Sequence, residues 1–203
     1  MKRRVIGIVD YGAGNHNSVF STLSSLDYRC HISHDVSALE KVDCLVLPGV
    51  GAFPRAMAGL KTFKLVDFLS DWALQGQPML GICLGMQLLA ERSHEDGLTP
   101  GLKIIPGEVL PLKDPRWHIG WNSLLRMHRD PLLEIDELSH FYFNHAYAFS
   151  EEKDFQVYQA DCGKRFPAII RRGSVVGLQF HPEKSQTAGR KLLKQIIDGL
   201  CHA

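Results

Sequence analysis

Cys83 is the residue whose neighbours point most directly to chemistry. It is the centre of residues 81–85 (GICLG), which fit the pattern G-x-C-x-G, the thiol counterpart of the nucleophile elbow G-x-S-x-G. A sharp turn from strand to helix forces its central residue into an uncommon backbone conformation, and flanking glycines let the chain pass itself without a clash. The N-terminus of the following helix favours a thiolate, and the N–H of Leu84 is placed to stabilise an oxyanion.

A nucleophilic thiol needs a general base that a third group orients. The best candidate is His181, which directly follows the apolar pattern VVGLQF and therefore lies at a strand end. Glu183, two residues later, can hold the imidazole in one tautomer, and Pro182 between them stiffens the geometry. A histidine at a strand end is by itself more often a capping or surface residue, but with Cys83 upstream we favour a Cys-His-Glu triad.

A third strand end carries two glycines. The segment LPGVGAF, residues 47–53, places Gly49 and Gly51 just after an apolar run. Glycines there permit a close approach of the backbone to a ligand, or the reorientation of a peptide. The alternative interpretation is an ordinary turn from strand to helix.

Composition narrows the classes of function. The chain of 203 residues has a formal net charge of +1 with scattered Lys and Arg, so nothing favours nucleic acid or a membrane surface as partner. Five cysteines without a C-x-x-C pair argue against a disulfide framework or structural zinc, and His31 and His34 lack a third ligand; we expect no metal and no cofactor. No apolar run is long enough for a bilayer span or a signal peptide, so a cytoplasmic protein is the simplest interpretation. Four cysteines are interpreted as buried packing residues: Cys30, Cys44, Cys162 and Cys201.

The elements that position these residues follow from the apolar pattern. Predicted strands in the first half cover 4–9, 28–32, 44–49 and 78–83, and predicted helices about 15–26, 53–60, 63–74 and 84–93. Strands spaced by helices imply βαβ units, and continuous apolar runs suit strands buried on both faces. The sequence therefore predicts the α/β class, with an open, mostly parallel sheet flanked by helices.

The second half is mostly strand-like, which predicts antiparallel strands and hairpins. The segments are 102–112, 118–127, 139–150, 155–163, 166–173 and 174–180. The last element, 185–200, is predicted to be a helix with Ser185 as its N-cap, because its leucines and isoleucines fall on one face. No linker, repeat or low-complexity segment is visible, so we expect a single domain over residues 1–203.

Several short motifs in order resemble those of the class I (triad) glutamine amidotransferases, which have a flavodoxin-like fold. They are PGVGAF (48–53), GICLGMQLL (81–89) and FHPEKS (180–185). Three more narrow the resemblance to glutaminase subunits of imidazole glycerol phosphate synthase: VDYGAGNHNSV (9–19), HIGWN (118–122) and FYFNHAYAF (141–149). The match runs from the first strand to the last helix.

The resemblance implies a role for each matching residue. Cys83 would attack the side-chain amide of glutamine, His181 would move the protons, and Glu183 would orient His181. The oxyanion would be held by the N–H of Leu84 and by one from the switch strand, Gly49, Val50 and Gly51, whose reorientation would couple activity to a partner. The residues expected to bind substrate are Gln87, Glu95, His145, Ala146 and Tyr147.

The resemblance also implies a partner. Ammonia would pass to a HisF-like (βα)8 synthase subunit in a heterodimer, which makes imidazole glycerol phosphate and an aminoimidazole carboxamide nucleotide in histidine biosynthesis. The positions expected at the interface are Tyr142, Lys184, Asn15, His118, Trp121 and Asn122. The alternatives are core packing for Tyr142 and a solvated surface charge for Lys184.

Two other functions stay open at this point. The chain departs from the family pattern at Trp117, Ile119, Asn144 and Ala146, and at residues 16–17. Since several of these lie near the expected partner face or glutamine pocket, a related amidotransferase of a surface-sugar pathway, with a different acceptor, is one alternative. The other is a non-enzymatic thiol sensor on the same scaffold, which would have no need of the His181 and Glu183 pair.

Overall fold

A computed structural model describes residues 3–150 and 153–202 of the chain. Its strands are β1 (Val5–Val9), β2 (Arg29–Ser33), β3 (Cys44–Leu47), β4 (Met79–Ile82), β5 (Arg92–Ser93), β6 (Thr99–Pro100), β7 (Glu108–Pro111), β8 (His118–Ser123), β9 (Leu125–Arg126), β10 (His140–His145), β11 (Tyr147–Ser150), β12 (Gln156–Asp161), β13 (Arg165–Arg172) and β14 (Val175–Leu178). Its helices are α1 (His16–Ser25), α2 (Val36–Leu39), α3 (Phe53–Thr62), α4 (Leu65–Leu74), α5 (Leu84–Leu88) and α6 (Gln186–Leu200), with 3-10 turns at Lys153–Phe155 and Pro182–Lys184.

In the part of the chain that the structure describes, the main sheet has eight strands in the order β2-β1-β3-β4-β14-β13-β12-β9. The first five of these are parallel to one another, and the last three run antiparallel to their neighbours. This confirms the predicted α/β class with a mostly parallel sheet and antiparallel strands from the second half. None of the helices in 3–150 and 153–202 is long and apolar enough to cross a membrane.

Apolar side chains cover both faces of this sheet, as the continuous apolar runs predict. Along β3, Cys44 and Val46 join the core beneath α1 and α6, whereas Leu45 and Leu47 join the core beneath α3, α4 and α5. Successive strand residues point to opposite faces, so one buried strand supplies both cores. Each core is closed by helices, which leaves the ends of the central strands as the accessible edge.

Two smaller sheets stand beside the main one. Within the described residues β8 pairs with β10 alone, and β11 belongs to a four-stranded sheet of order β11-β7-β5-β6. The predicted strand 139–150 is therefore two strands, separated at Ala146, where the chain passes from one small sheet to the other. Likewise, the predicted strand 118–127 is divided between β8 and β9.

Three further predictions differ from the structure. The helix expected over 84–93 ends at Leu88, and residues 102–105 form no strand. These two differences have one cause. The N–H groups of 102–105 donate to the carbonyls of Leu88, Leu89 and Ala90, which in a longer helix would accept from N–H groups of the helix itself. Ser185 occupies the N-cap position of α6 without capping it, because its hydroxyl donates to the carbonyl of His181 at 2.6 Å.

Candidate active site

Three neighbouring parallel strands bring the predicted residues to one edge of the main sheet. β4 lies between β3 and β14, with Leu47 opposite Gly81 and Leu178 opposite Ile82. The glycine segment, the cysteine and the histidine each follow the end of one of these strands, where open α/β sheets bind ligands. The N–H of Cys83 donates to the carbonyl of Leu178 at 2.7 Å, which ties the turn to the neighbouring strand.

The turn at Cys83 has the backbone strain that the glycine pattern predicts. Cys83 has φ 53° and ψ −110°, outside the conformations that a side chain ordinarily allows, and α5 begins at the next residue. A Cβ on Gly85 would lie 1.7 Å from the carbonyl oxygen of Leu47, and one on Gly81 would lie 2.8 Å from that of Gly85. Both glycines are therefore required so that helix and strand can approach each other.

His181 and Glu183 form a buried pair next to Cys83. Nδ1 of His181 lies 2.9 Å from Oε1 of Glu183, and their side chains are 3% and 1% exposed. Oε2 of Glu183 is buried and has no hydrogen-bond partner in the described part of the chain, so His181 is the cation that compensates this carboxylate. With Nδ1 engaged, Nε2 is the ring nitrogen that remains for the thiol.

The surroundings of His181 favour its charged form. Burial by itself lowers the pKa of His181, but the Cys83 thiol and the Glu183 carboxylate act against it and raise the pKa to about 10. A raised pKa means that the imidazolium is the form present at neutral pH. The arrangement thus holds a proton donor beside the sulfur, as a cysteine nucleophile with an expelled amine requires.

We expect Glu183→Gln to destabilise the protein in a pH-dependent way. The pKa of His181 is about 10 when folded, against about 6.5 when unfolded, so its contribution to stability is complete below about pH 6.5 and disappears as pH rises through 10. Glutamine keeps an acceptor for Nδ1 but loses the charge, so the loss should be about 2 kcal/mol at pH 6 and clearly smaller at pH 10. Urea unfolding at both pH values measures it, and equal losses would contradict the role of the charge.

A cavity of about 280 Å³ lies in front of Cys83. It is lined by Val50, Gly51, Cys83, Leu84, Gln87, Glu95, Trp117, Asn144, His145, Ala146, Tyr147, His181 and Lys184. All the residues predicted to be catalytic or to bind substrate line this cavity except Glu183, which lies behind His181. Of the residues predicted to form the switch, Val50 and Gly51 line the cavity and Gly49 does not. Gly49 is packed instead, since a Cβ there would lie 2.6 Å from the Tyr11 hydroxyl oxygen.

Two polar side chains in the cavity wall are already held by the backbone. Nε2 of Gln87 donates to the carbonyl of Tyr147 at 2.8 Å, which fixes the orientation of this amide. Oε2 of Glu95 accepts from the N–H of Phe53 at 2.8 Å, and burial raises the pKa of Glu95. Each keeps one oxygen that these bonds do not use, so each can offer an acceptor to a ligand.

The residues predicted at a partner interface fall into two groups. Trp121 packs edge-on against Tyr142, with ring centroids 5.9 Å apart, and Nζ of Lys184 lies 5.8 Å above the Tyr142 ring. Asn15 precedes α1 and is partly exposed. His118 and Asn122 belong to the same strand as Trp121, but their side chains turn inward.

The inward orientation changes the interpretation of His118. Its side chain is 8% exposed and contacts the Phe143 ring, so we no longer predict that it touches a partner directly. Strand alternation is the reason, because Ile119 and Trp121 occupy the outer face of β8 and leave the inner face to His118. Asn122 donates to the carbonyl of Asp161.

Three further residues lie at this site: Gln179, which the sequence did not single out, and Trp117 and Asn144, which it marked only as departures from the family pattern. Gln179 is fully buried, and its Nε2 lies 3.9 Å from Sγ of Cys83. A glutamine inside the apolar pattern VVGLQF was the available signal, since a buried polar side chain needs a partner. Trp117 and Asn144 line the cavity and are joined by a bond from Nε1 to Oδ1 of 2.9 Å.

Known proteins resemble this chain in sequence and in fold. The family model named glutamine amidotransferase class-I matches residues 7–198. The imidazole glycerol phosphate synthase subunit HisH of Shouchella clausii is 43% identical over 96% of this chain and 100% of its own length. The HisH subunit of Lactococcus lactis is 40% identical over 95% of this chain and 98% of its own.

Solved structures agree on the fold. PurLQS from Thermotoga maritima superimposes with a TM-score of 0.78 at 18% identity, covering 98% of this chain and 100% of that one. A glutamine amidotransferase from the same organism gives a TM-score of 0.72 at 16% identity, covering 100% of both chains. At these identities the likeness concerns the fold alone. The family match over nearly the whole length carries the assignment, and this chain belongs to the class I glutamine amidotransferases.

Proposed function

We propose that this protein is the glutaminase subunit of imidazole glycerol phosphate synthase. It hydrolyses glutamine to glutamate and ammonia, and delivers the ammonia to a HisF-like (βα)8 synthase subunit in L-histidine biosynthesis. The observation that carries this proposal is the 40–43% identity to HisH subunits over nearly the full length of both chains. The relatives named here belong to the histidine pathway, which favours that pathway over a surface-sugar pathway.

The chemistry proceeds through a thioester on Cys83. The sulfur attacks the amide carbon of glutamine, and His181, charged and oriented by Glu183, gives its proton to the departing ammonia. His181 then takes a proton from water, which attacks the thioester carbon. Glutamate leaves and the proton returns to the Cys83–His181 pair, so the two half-reactions balance without a cofactor.

The oxyanion formed in both steps needs two N–H donors. Leu84, the first residue of α5, supplies one, and we propose that the switch strand supplies the other. The hydroxyl of Tyr11 donates to the carbonyl of Pro48 and packs with Leu84 against Gly49, whereas Gly51 has φ 101° and open space where a Cβ would be. Reorientation is therefore restricted to the peptides on either side of Val50, which is 40% exposed.

We expect Glu95→Gln to raise KM for glutamine about 10- to 100-fold with little change in kcat. In the proposed complex the Glu95 carboxylate pairs with the ammonium group of glutamine, and a charged hydrogen bond of this kind contributes about 1.5–3 kcal/mol. The side-chain amide in Glu95→Gln can still accept the hydrogen bond from the N–H of Phe53, so the variant removes the negative charge and keeps this bond. Steady-state glutamate formation measures it; an unchanged KM, or a loss confined to kcat, would contradict this role.

The partner test uses the synthase subunit encoded in the same genome. The exposed ring of Trp121, with Tyr142 and Lys184 beside the cavity, is the face proposed to dock on it, together with Asn15. We expect the two chains to copurify and to convert glutamine to imidazole glycerol phosphate. Hydrolysis of glutamine with no stimulation by that subunit would overturn the channelling role. We further propose that residues 1–203 act as one domain and that the complex is cytoplasmic.

A further inference from the structure

Two buried histidines face each other across the small sheet of β8 and β10. His118 and His145 are register partners, and Nδ1 of His118 lies 3.1 Å from Nε2 of His145. Both rings are packed against Phe166, with centroid distances of 5.4 Å and 4.9 Å. Burial lowers the pKa of His118, and it lowers that of His145 to about 4, so both rings are neutral at pH 7.

The hydrogen bond to Tyr147 determines where the protons are. Nδ1 of His145 lies 2.9 Å from the carbonyl oxygen of Tyr147, and a carbonyl can only accept, so Nδ1 carries the proton. A neutral imidazole with its proton on Nδ1 has an acceptor at Nε2. The proton between the two rings must therefore come from Nδ1 of His118.

The hydrogen bonds of Asn122, on the other side of His118, lead independently to the same proton positions. Nδ2 of Asn122 donates to the carbonyl of Asp161 at 2.7 Å, and this bond excludes the flipped amide, which would place two oxygens together. The same nitrogen lies 3.3 Å from Nε2 of His118, which must then be an acceptor. Every ring nitrogen is thus engaged, with one proton per ring, on Nδ1.

This relay, defined as Asn122, His118 and His145, ends in the wall of the cavity. The carbonyl of Tyr147 accepts from His145 and also from Nε2 of Gln87, at 2.8 Å. That carbonyl belongs to the first residue of β11, just after Ala146, where the chain leaves one small sheet for the other. The N–H of Leu112 donates to the carbonyl of Ala146 at 2.8 Å, and the relay adds a second constraint at the next carbonyl, that of Tyr147.

We propose that His118 and His145 are positioning residues that hold the Tyr147 carbonyl, and through it the amide of Gln87, in place to bind glutamine. This deepens the proposed function and rests on it. Because all four ring nitrogens are committed, neither histidine can exchange a proton with substrate. Their effect must therefore fall on substrate binding, with the chemistry at Cys83 left intact.

The kinetic test replaces each ring by one of similar shape without nitrogens. In the complex with its synthase subunit, His118→Phe and His145→Phe should raise KM for glutamine about 10-fold, as expected for one lost hydrogen bond, and change kcat less than about threefold. His145→Asn, whose amide can donate to Tyr147, should recover part of the loss. The matched control is His140→Phe, because His140 is an exposed histidine of β10, the strand that also carries His145; this variant should leave KM unchanged. Unchanged KM in both buried variants, or a loss confined to kcat, would overturn the proposal.

A second measurement needs no substrate and no variant. Nitrogen-15 NMR of the imidazole rings in the isolated chain at pH 7 reports which nitrogen carries the proton. We expect Nδ1–H on both His118 and His145, and a proton on Nε2 of either ring would overturn the relay. This result does not depend on glutamine hydrolysis, so failure of the relay and failure of the proposed function are distinguishable.

Discussion

Cys83→Ala should abolish glutamine-dependent synthesis in the complex, lowering kcat by about 10⁴-fold or more, as for loss of the nucleophile in other triad enzymes. Synthesis from added ammonium salts should be unchanged, because that reaction enters at the synthase subunit and bypasses the thioester. Cys83 follows the end of β4 and lines the cavity. We therefore expect removal of its sulfur to leave the fold and the docking surface intact. Parallel assays with glutamine and with ammonium measure both quantities.

The matched control for this experiment is Cys162→Ala. Cys162 is a half-buried cysteine that does not line the cavity in front of Cys83, so both nitrogen sources should support wild-type rates. Glutamine hydrolysis that survives in Cys83→Ala would show that another group is the nucleophile. Copurification with the synthase subunit checks that the variant still docks, and if Cys83→Ala fails this check the assay is repeated with Cys83→Ser.

Gly85→Ala should destabilise the folded state by about 3 kcal/mol or more. The added Cβ would lie 1.7 Å from the carbonyl oxygen of Leu47, which is backbone of the neighbouring central strand and cannot rotate away. Relief of this clash requires α5 and β3 to separate, which also moves the N–H of Leu84 away from the site. Without the clash alanine would stabilise a helix by about 1 kcal/mol relative to glycine, so the expected sign depends on packing alone.

Gly76→Ala is the comparison variant, because it introduces backbone strain without the steric clash expected in Gly85→Ala. Gly76 has φ 72° and nothing within 4 Å of where a Cβ would be, so only the left-handed conformation is penalised, at about 1–2 kcal/mol. Urea unfolding followed by circular dichroism compares the two variants with wild type. A loss in Gly85→Ala no larger than that in Gly76→Ala would show that α5 can move away from β3 at little cost.

The positions of Cys83, His181 and residues 49–51 could be predicted because each follows an apolar run. Such runs become buried parallel strands, and the carboxyl ends of parallel strands meet at one edge. Linear distance in the chain does not matter for this argument, since His181 lies far from Cys83 in sequence yet follows the adjacent strand. Cys83 and His181 are therefore the residues of the site whose positions the pattern predicts best.

Long-range pairing accounts for the parts that the pattern misassigned. Leu88, Leu89 and Ala90 continue a helical pattern, but their carbonyls accept N–H groups from residues 102–105, whose own apolar pattern resembles a strand. The secondary structure of each segment is therefore predicted wrongly from its own pattern, because the backbone hydrogen bonds of each segment are made with the other segment. His118 illustrates the same limit, since its partner His145 lies on another strand and only the register of β8 with β10 brings them together.

The close packing around Gly81 and Gly85 has a consequence for how this enzyme can change over evolutionary time. No side chain can be added at either position without striking backbone, so variation there is eliminated by folding before selection on activity can act on it. The cavity wall formed by residues 144–147 lies on the small sheets, outside that packing. Substitutions that reshape the cavity are therefore better tolerated by the fold in that wall than at either glycine.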